Sequence, residues 1–111
     1  LSAKQISSAI AERKRKKSPV ILTGDFNACE NEHSMKYLLG EHGSPIAMKD
    51  TFRLIHPNNN AGTFHAFGKT ETCKIDYIYA LGKIRVLDAN IINESEPFAS
   101  DHLAVTTILQ F

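Results

Sequence analysis

The stretch Pro19-Val20-Ile21-Leu22-Thr23-Gly24-Asp25-Phe26-Asn27 decides how this chain is read. An unbroken aliphatic and β-branched run between a proline and a glycine fits a short strand buried on both faces. Such a strand delivers Asp25 to its C-terminal end, where α/β sheets tend to build their sites. Gly24 permits close backbone approach, Phe26 can anchor inward, and Asn27 sets a donor and an acceptor beside the carboxylate. The same residue types also serve an Asx-type turn leaving a strand, so the tetrapeptide alone leaves both readings open.

Working outward, Ile6, Ile10 and the alanines at 3, 9 and 11 form an apolar stripe at helical spacing. That stripe predicts a helix over Ser2 to Lys16, stopped by Pro19. On the C-terminal side Asn31 is the expected N-cap of a second helix running to Leu39, with Gly40 or Gly43 ending it. Asp50 to Ile55 is ambiguous, and Pro57 to Gly62 is a loop. Three strand candidates follow: Thr63 to Phe67, Lys74 to Ala80, and Ile84 to Ile92, the last broken near Asp88-Ala89-Asn90. After a polar loop over Glu94 to Ser100, Leu103 to Leu109 gives a strong closing strand signal. The order implies an α/β (α+β) layered domain, with an exposed sheet edge and an uncovered face.

The 111 residues suffice for one small domain with a modest core. Hydrophobic residues at 42% and charged residues at 23% exclude a disordered chain. Net charge is +1, so no global field marks a nucleic-acid binder. The positive charge is local, in Arg13-Lys14-Arg15-Lys16-Lys17, and the favoured reading of that run is a solvated helix end. No stretch is apolar over the length needed to cross a bilayer. Cys29 and Cys73 lack metal-site spacing. A reduced pair in a reducing compartment is the default, with a cytoplasmic location by the same token, although the two could lie near each other.

Two further motifs carry chemistry. Ser100-Asp101-His102 places a hard oxygen ligand for Mg²⁺ or Mn²⁺ next to an imidazole. Asp76 interrupts the apolar run Ile75-Asp76-Tyr77-Ile78, where a carboxylate is costly without a partner. Accepting a hydrogen bond from His102 is its natural role, fixing the tautomer and favouring the protonated ring. Three acidic sites on strand ends imply a convergent pocket that holds a divalent metal against a phosphate.

The series Gly24-Asp25-Phe26-Asn27, Thr63-Phe64-His65-Ala66-Phe67, Lys74-Ile75-Asp76-Tyr77-Ile78 and Ser100-Asp101-His102 resembles the endonuclease/exonuclease/phosphatase superfamily. The Thr-Phe-His-x-Phe element is similar to a bacterial branch of it. The resemblance implies the C-terminal half of a four-layered α/β sandwich with a mixed sheet, residues 1–111 being a partial domain whose N-terminal half is its missing partner. It implies a metal-dependent phosphoric-ester hydrolase, either a phosphodiesterase or nuclease or a phosphatase, acting on nucleic acid or a small phosphorylated molecule. Asp25 would orient or deprotonate the attacking water, Asn27 would bind the scissile phosphate, and His102, supported by Asp76, would stabilise its charge. Asp101 and Asp25 would hold Mg²⁺ or Mn²⁺, and Phe64 and His65 would line the substrate pocket. Lys74 stands where the family commonly has Arg, and Ala66 where this branch often has Gly. The reading from a different class is a non-catalytic half-domain that binds a partner or assembles.

Overall fold

The computed structural model describes residues 2–67, 73–93 and 97–111. Helix α1, Ala3–Ala11, begins at Ser2 with a reciprocal capping box: Gln5 N–H donates to Ser2 Oγ at 3.2 Å and Ser2 N–H to Gln5 Oε1 at 2.8 Å. It ends at Ala11, short of the expected Lys16, because the basic run folds back on the helix instead of extending it. Arg13 Nη1 donates to Ile10 O at 2.7 Å, and Lys16 Nζ reaches Ala11 O. These cations satisfy the carbonyls left open at the helix end, as the solvated-end reading expects.

Strand β1, Val20–Asp25, is a strand where expected, but its burial alternates. Val20 and Leu22 pack on the core cluster, whereas Ile21 is 44% exposed. The expectation of burial on both faces therefore fails: α1 and α2 cover one side of the strand, and the side bearing Ile21, Thr23 and Asp25 is open. Helix α2, His33–Leu38, starts one residue later than an Asn31 cap requires. Glu32 occupies the cap position, and its carboxylate instead accepts from Cys29 N–H at 2.6 Å. Gly40 follows the helix at φ +103°, and a Cβ there would sit 2.7 Å from Ala47 Cβ, so glycine is required twice over.

The ambiguous segment divides into a two-residue strand β2, Lys49–Asp50, and helix α3, Thr51–Ile55. Asp50 makes the switch. One of its oxygens accepts from Phe52 N–H (3.0 Å) and Arg53 N–H (3.3 Å), and the other from Lys74 Nζ at 2.8 Å. Lys74 is 2% exposed, its ammonium 3.6 Å from the centre of the Tyr77 ring. Burial lowers its pKa, and the Asp50 carboxylate opposes that effect. Lys74 is thus a buried, paired cation and not a surface charge.

Strand β3, Asp76–Leu81, lies at the centre of a three-stranded antiparallel sheet of order β1-β3-β2. Its register with β1 runs from Val20↔Leu81 to Asp25↔Asp76, which sets the two aspartates side by side at one end. Tyr77 and Tyr79 face the helices, beside Met35, Leu38, Ile46 and Met48; alternation turns Asp76 to the other side. Strands β4, Arg85–Ile91, and β5, Val105–Gln110, form a second antiparallel pair. β4 continues through Asp88-Ala89-Asn90, and its irregularity falls between Val86 and Asp88. Every ladder between these strands is antiparallel, so the described strands do not form the mixed sheet expected.

Thr63 to Phe67 is not a strand. Phe64 makes one isolated bridge with His102, and Ala66 (φ 49°) and Phe67 (φ 58°) then turn left-handed, which ends any extension. The expected polar loop at Glu94 to Ser100 falls partly outside the described residues. Cys29 and Cys73 are joined in a disulfide with Cα atoms 5.6 Å apart, which corrects the default of reduced thiols. The ladder brings their segments close: Phe26 N–H still donates to Ile75 O beyond Asp25 and Asp76, and the cysteines lie a few residues further along each segment.

Candidate active site

The β1–β3 register brings Asp25 and Asp76 together, and His102 completes the group from the segment before β5. His102 Nδ1–H donates to Asp76 Oδ2 at 2.8 Å. That bond turns Nε2 toward two other carboxylates, Asp25 Oδ2 at 3.8 Å and Asp101 Oδ1 at 3.9 Å. Asp25, Asp76 and His102 each offer a ligand atom within 4.8 Å of the others. The hydrogen bond to Asp76 raises the His102 pKa above its ordinary value, partial burial opposes this, and the neighbouring carboxylates add to the rise.

A sign follows for stability. A folded-state pKa above 6.5 means that the His102–Asp76 interaction stabilises fully below pH 6.5 and is lost as pH rises through the folded value. In metal-free protein we expect NMR titration to give His102 a pKa above 6.5 and Asp76→Asn to bring it down. An unchanged His102 titration in Asp76→Asn would break the assignment.

Asp25 serves both the turn and the site. Its Oδ1 accepts from Asn27 N–H at 2.9 Å, closing an Asx turn, while Oδ2 is the oxygen facing His102. Asn27 takes the left-handed conformation (φ 49°) that asparagine tolerates. Asp101 has 44% of its side chain exposed beside this cluster. Its backbone carbonyl accepts from His65 N–H at 2.9 Å, and Ser100 Oγ accepts from His102 N–H at 3.1 Å.

Of the two residues expected to line a substrate pocket, Phe64 meets His102 edge-on with ring centres 5.1 Å apart. His65 packs its ring on Phe98 at 4.3 Å. Phe64 thus lies against the site, while His65 touches it through its backbone.

Sequence reasoning passed over Thr63. Its fully buried hydroxyl accepts from Ile75 N–H (2.9 Å) and Asp76 N–H (3.2 Å), and its carbonyl accepts from Leu103 N–H at 2.6 Å. One residue therefore ties the Asp76 segment to the His102 segment. Its only signal was its place at the head of the Thr-Phe-His motif.

The carboxylates border a cleft of about 310 Å³ whose walls include Thr23, Ile78 and Val105. A larger cleft, about 550 Å³, lies beside the disulfide between Cys29–Asn31 and Pro57–Ala61. Size does not locate the chemistry here. In the larger cleft Arg53 is spent on Glu30 and Lys74 on Asp50, whereas the smaller one is lined by Asp25 and by Asp76, the partner of His102.

Fold and site together define a layered α+β domain that presents carboxylates and one imidazole at a strand end of its sheet. The chain belongs to the Endonuclease/Exonuclease/phosphatase family, whose family model matches residues 3–102. The activities in that description all break phosphoric esters with water. Among solved structures, an endonuclease/exonuclease/phosphatase from Bacteroides vulgatus superposes with TM-score 0.78 at 24% identity, over 97% of this chain and 43% of that one. A mannosyl-6-phosphatase from Bacteroides thetaiotaomicron gives 0.76 at 23%, over 98% and 44%. A third, an endonuclease/exonuclease/phosphatase from Beutenbergia cavernae, gives 0.66 at 21%, over 97% and 30%. At these identities the likeness shows the fold, and the chain spans less than half of each of these structures. A search among curated proteins finds no match.

Proposed function

We propose that the protein is a divalent-metal-dependent phosphoric-ester hydrolase, and that these residues form the C-terminal half of its four-layered catalytic domain. The convergence of Asp25, Asp76 and His102, with His102 held by its Nδ1–Asp76 bond, carries the reading. Asp25 Oδ2, which does not take part in the Asx turn, would orient or deprotonate a water. The Asn27 amide donates to a phosphate oxygen. His102 presents Nε2 to the same space, and the raised pKa keeps more of it cationic, which suits an anionic phosphate. Asp76 fixes the ring and its tautomer.

The donor set suits a hard cation, because Asp25 and Asp76 converge with His102 and bring carboxylate oxygens, and Asp101 lies beside them, 3.9 Å from His102 Nε2. Bound there, Mg²⁺ or Mn²⁺ would supply Lewis-acid neutralisation of phosphate charge. Phe64, beside His102, would line the substrate pocket together with His65.

The mannosyl-6-phosphatase neighbour makes a sugar phosphomonoester the first substrate to try, ahead of a diester. Because these residues are read as half of a domain and are expected to be inactive alone, the test is hydrolysis of a generic phosphomonoester and a generic phosphodiester by the complete domain with Mg²⁺, with Mn²⁺ and with EDTA. Metal-dependent turnover of either ester is expected, and the preferred ester separates phosphatase from nuclease. Turnover unaffected by EDTA would remove the metal from the reading. No turnover of either would favour a non-catalytic half-domain.

A further inference from the structure

Asn27 is tied down by its neighbours on both sides. The preceding Phe26 N–H donates to Ile75 O at 2.9 Å. The following carbonyl, Ala28 O, accepts from Tyr77 Oη at 2.7 Å. The same hydroxyl lies 2.8 Å from Lys74 O, so one hydrogen is shared between the loop after β1 and the segment leading into β3. Tyr77 is held firmly enough to act as such a clasp. It is 1% exposed, its ring meets Phe26 edge-on at 5.8 Å between centres, and the Lys74 ammonium covers its face at 3.6 Å.

This clasp matters because Asn27 lies in a turn. Its left-handed backbone is secured locally by one bond, from its N–H to Asp25 Oδ1 at 2.9 Å. Rotation of the Ala28 peptide would swing the asparagine away without disturbing the β1–β3 ladder. We propose that Tyr77 is a positioning residue for Asn27: its hydroxyl holds the Ala28 carbonyl against the Lys74 segment and so fixes where the Asn27 amide points. The proposal rests on the hydrolase reading insofar as that reading assigns the Asn27 amide to the phosphate.

Tyr77→Phe tests it, since it keeps the ring, its packing and the cation above it while removing the hydroxyl. With Mg²⁺ and the preferred ester, kcat is expected to fall about tenfold with little change in KM, as misplacement of a group by a fraction of an ångström does. In an Asn27→Ala background the same exchange is expected to cost less than about twofold, because coupled residues are not additive. Equal losses in both backgrounds, or no loss in either, would overturn the proposal.

Backbone amide exchange provides a readout that needs no turnover. Tyr77→Phe should speed exchange at Asn27 about tenfold or more while Leu22, within the ladder, stays protected. Unchanged exchange at Asn27 overturns the positioning role whatever the kinetics. Faster exchange in a protein that hydrolyses no ester would support the clasp and overturn the hydrolase reading instead.

Discussion

Asp25→Asn is expected to lower phosphoester hydrolysis by about a hundredfold to ten-thousandfold, the range over which a positioned proton acceptor contributes. The substitution is nearly isosteric, and an asparagine Oδ1 can still accept the Asn27 N–H that now closes the Asx turn at 2.9 Å. The turn and the β1–β3 register should therefore survive, and the melting temperature should move little. What disappears is the charge on Oδ2, the oxygen 3.8 Å from His102 Nε2. The same change removes a carboxylate from the metal's donors, so the metal concentration for half-maximal activity should rise as well. Measuring kcat at saturating Mg²⁺ separates the two effects. A variant within tenfold of the wild type at saturation would show that Asp25 neither deprotonates nor orients the water.

Opening the disulfide should have the largest effect on stability. Cys29 and Cys73 are 44 residues apart, and closing a loop of that size restricts the unfolded chain by roughly 4 kcal/mol in the chain-entropy account, with about 2–4 kcal/mol typical of measured bridges. The bond sits just beyond the Tyr77 clasp, so local opening near Asn27 should grow too. Urea unfolding of oxidised protein, of protein in dithiothreitol and of Cys73→Ser checks this. The last two should share a midpoint well below the first. Coincident midpoints for all three would mean that the bridge does not constrain the chain.

The sequence made the strands plain wherever aliphatic runs meet turn residues, as at Val20–Asp25 and Val105–Gln110. It misjudged places where one side chain redirects the backbone. Asp50 starts a helix by capping it, Glu32 displaces Asn31 from the cap, and left-handed Ala66 and Phe67 stop a segment whose alternation suggested a strand. Burial of Ile21 was overestimated because strand composition does not reveal whether the second face is covered. The site was more legible than its supports. Asp25, Asp76 and His102 stand out as costly or reactive residues at strand ends. Thr63 and Tyr77 are ordinary in composition and gain meaning only from what they touch across the fold, and the disulfide became visible only once the antiparallel pairing of β1 with β3 brought the segments of its cysteines together.

Among the described residues β1 pairs with β3 alone, leaving its outer edge open, and Ile21 beside it is 44% exposed. Ile108 on β5 is 56% exposed. Open edges recruit other chains, and β1 carries a single charge, Asp25, to prevent it. Crowding therefore becomes a variable of its own. At the millimolar stocks that a His102 titration demands, copies of this chain are expected to stack edge to edge, with light scattering rising before any resonance moves. Dilution, more than buffer or temperature, will decide whether such a sample reports on a single molecule.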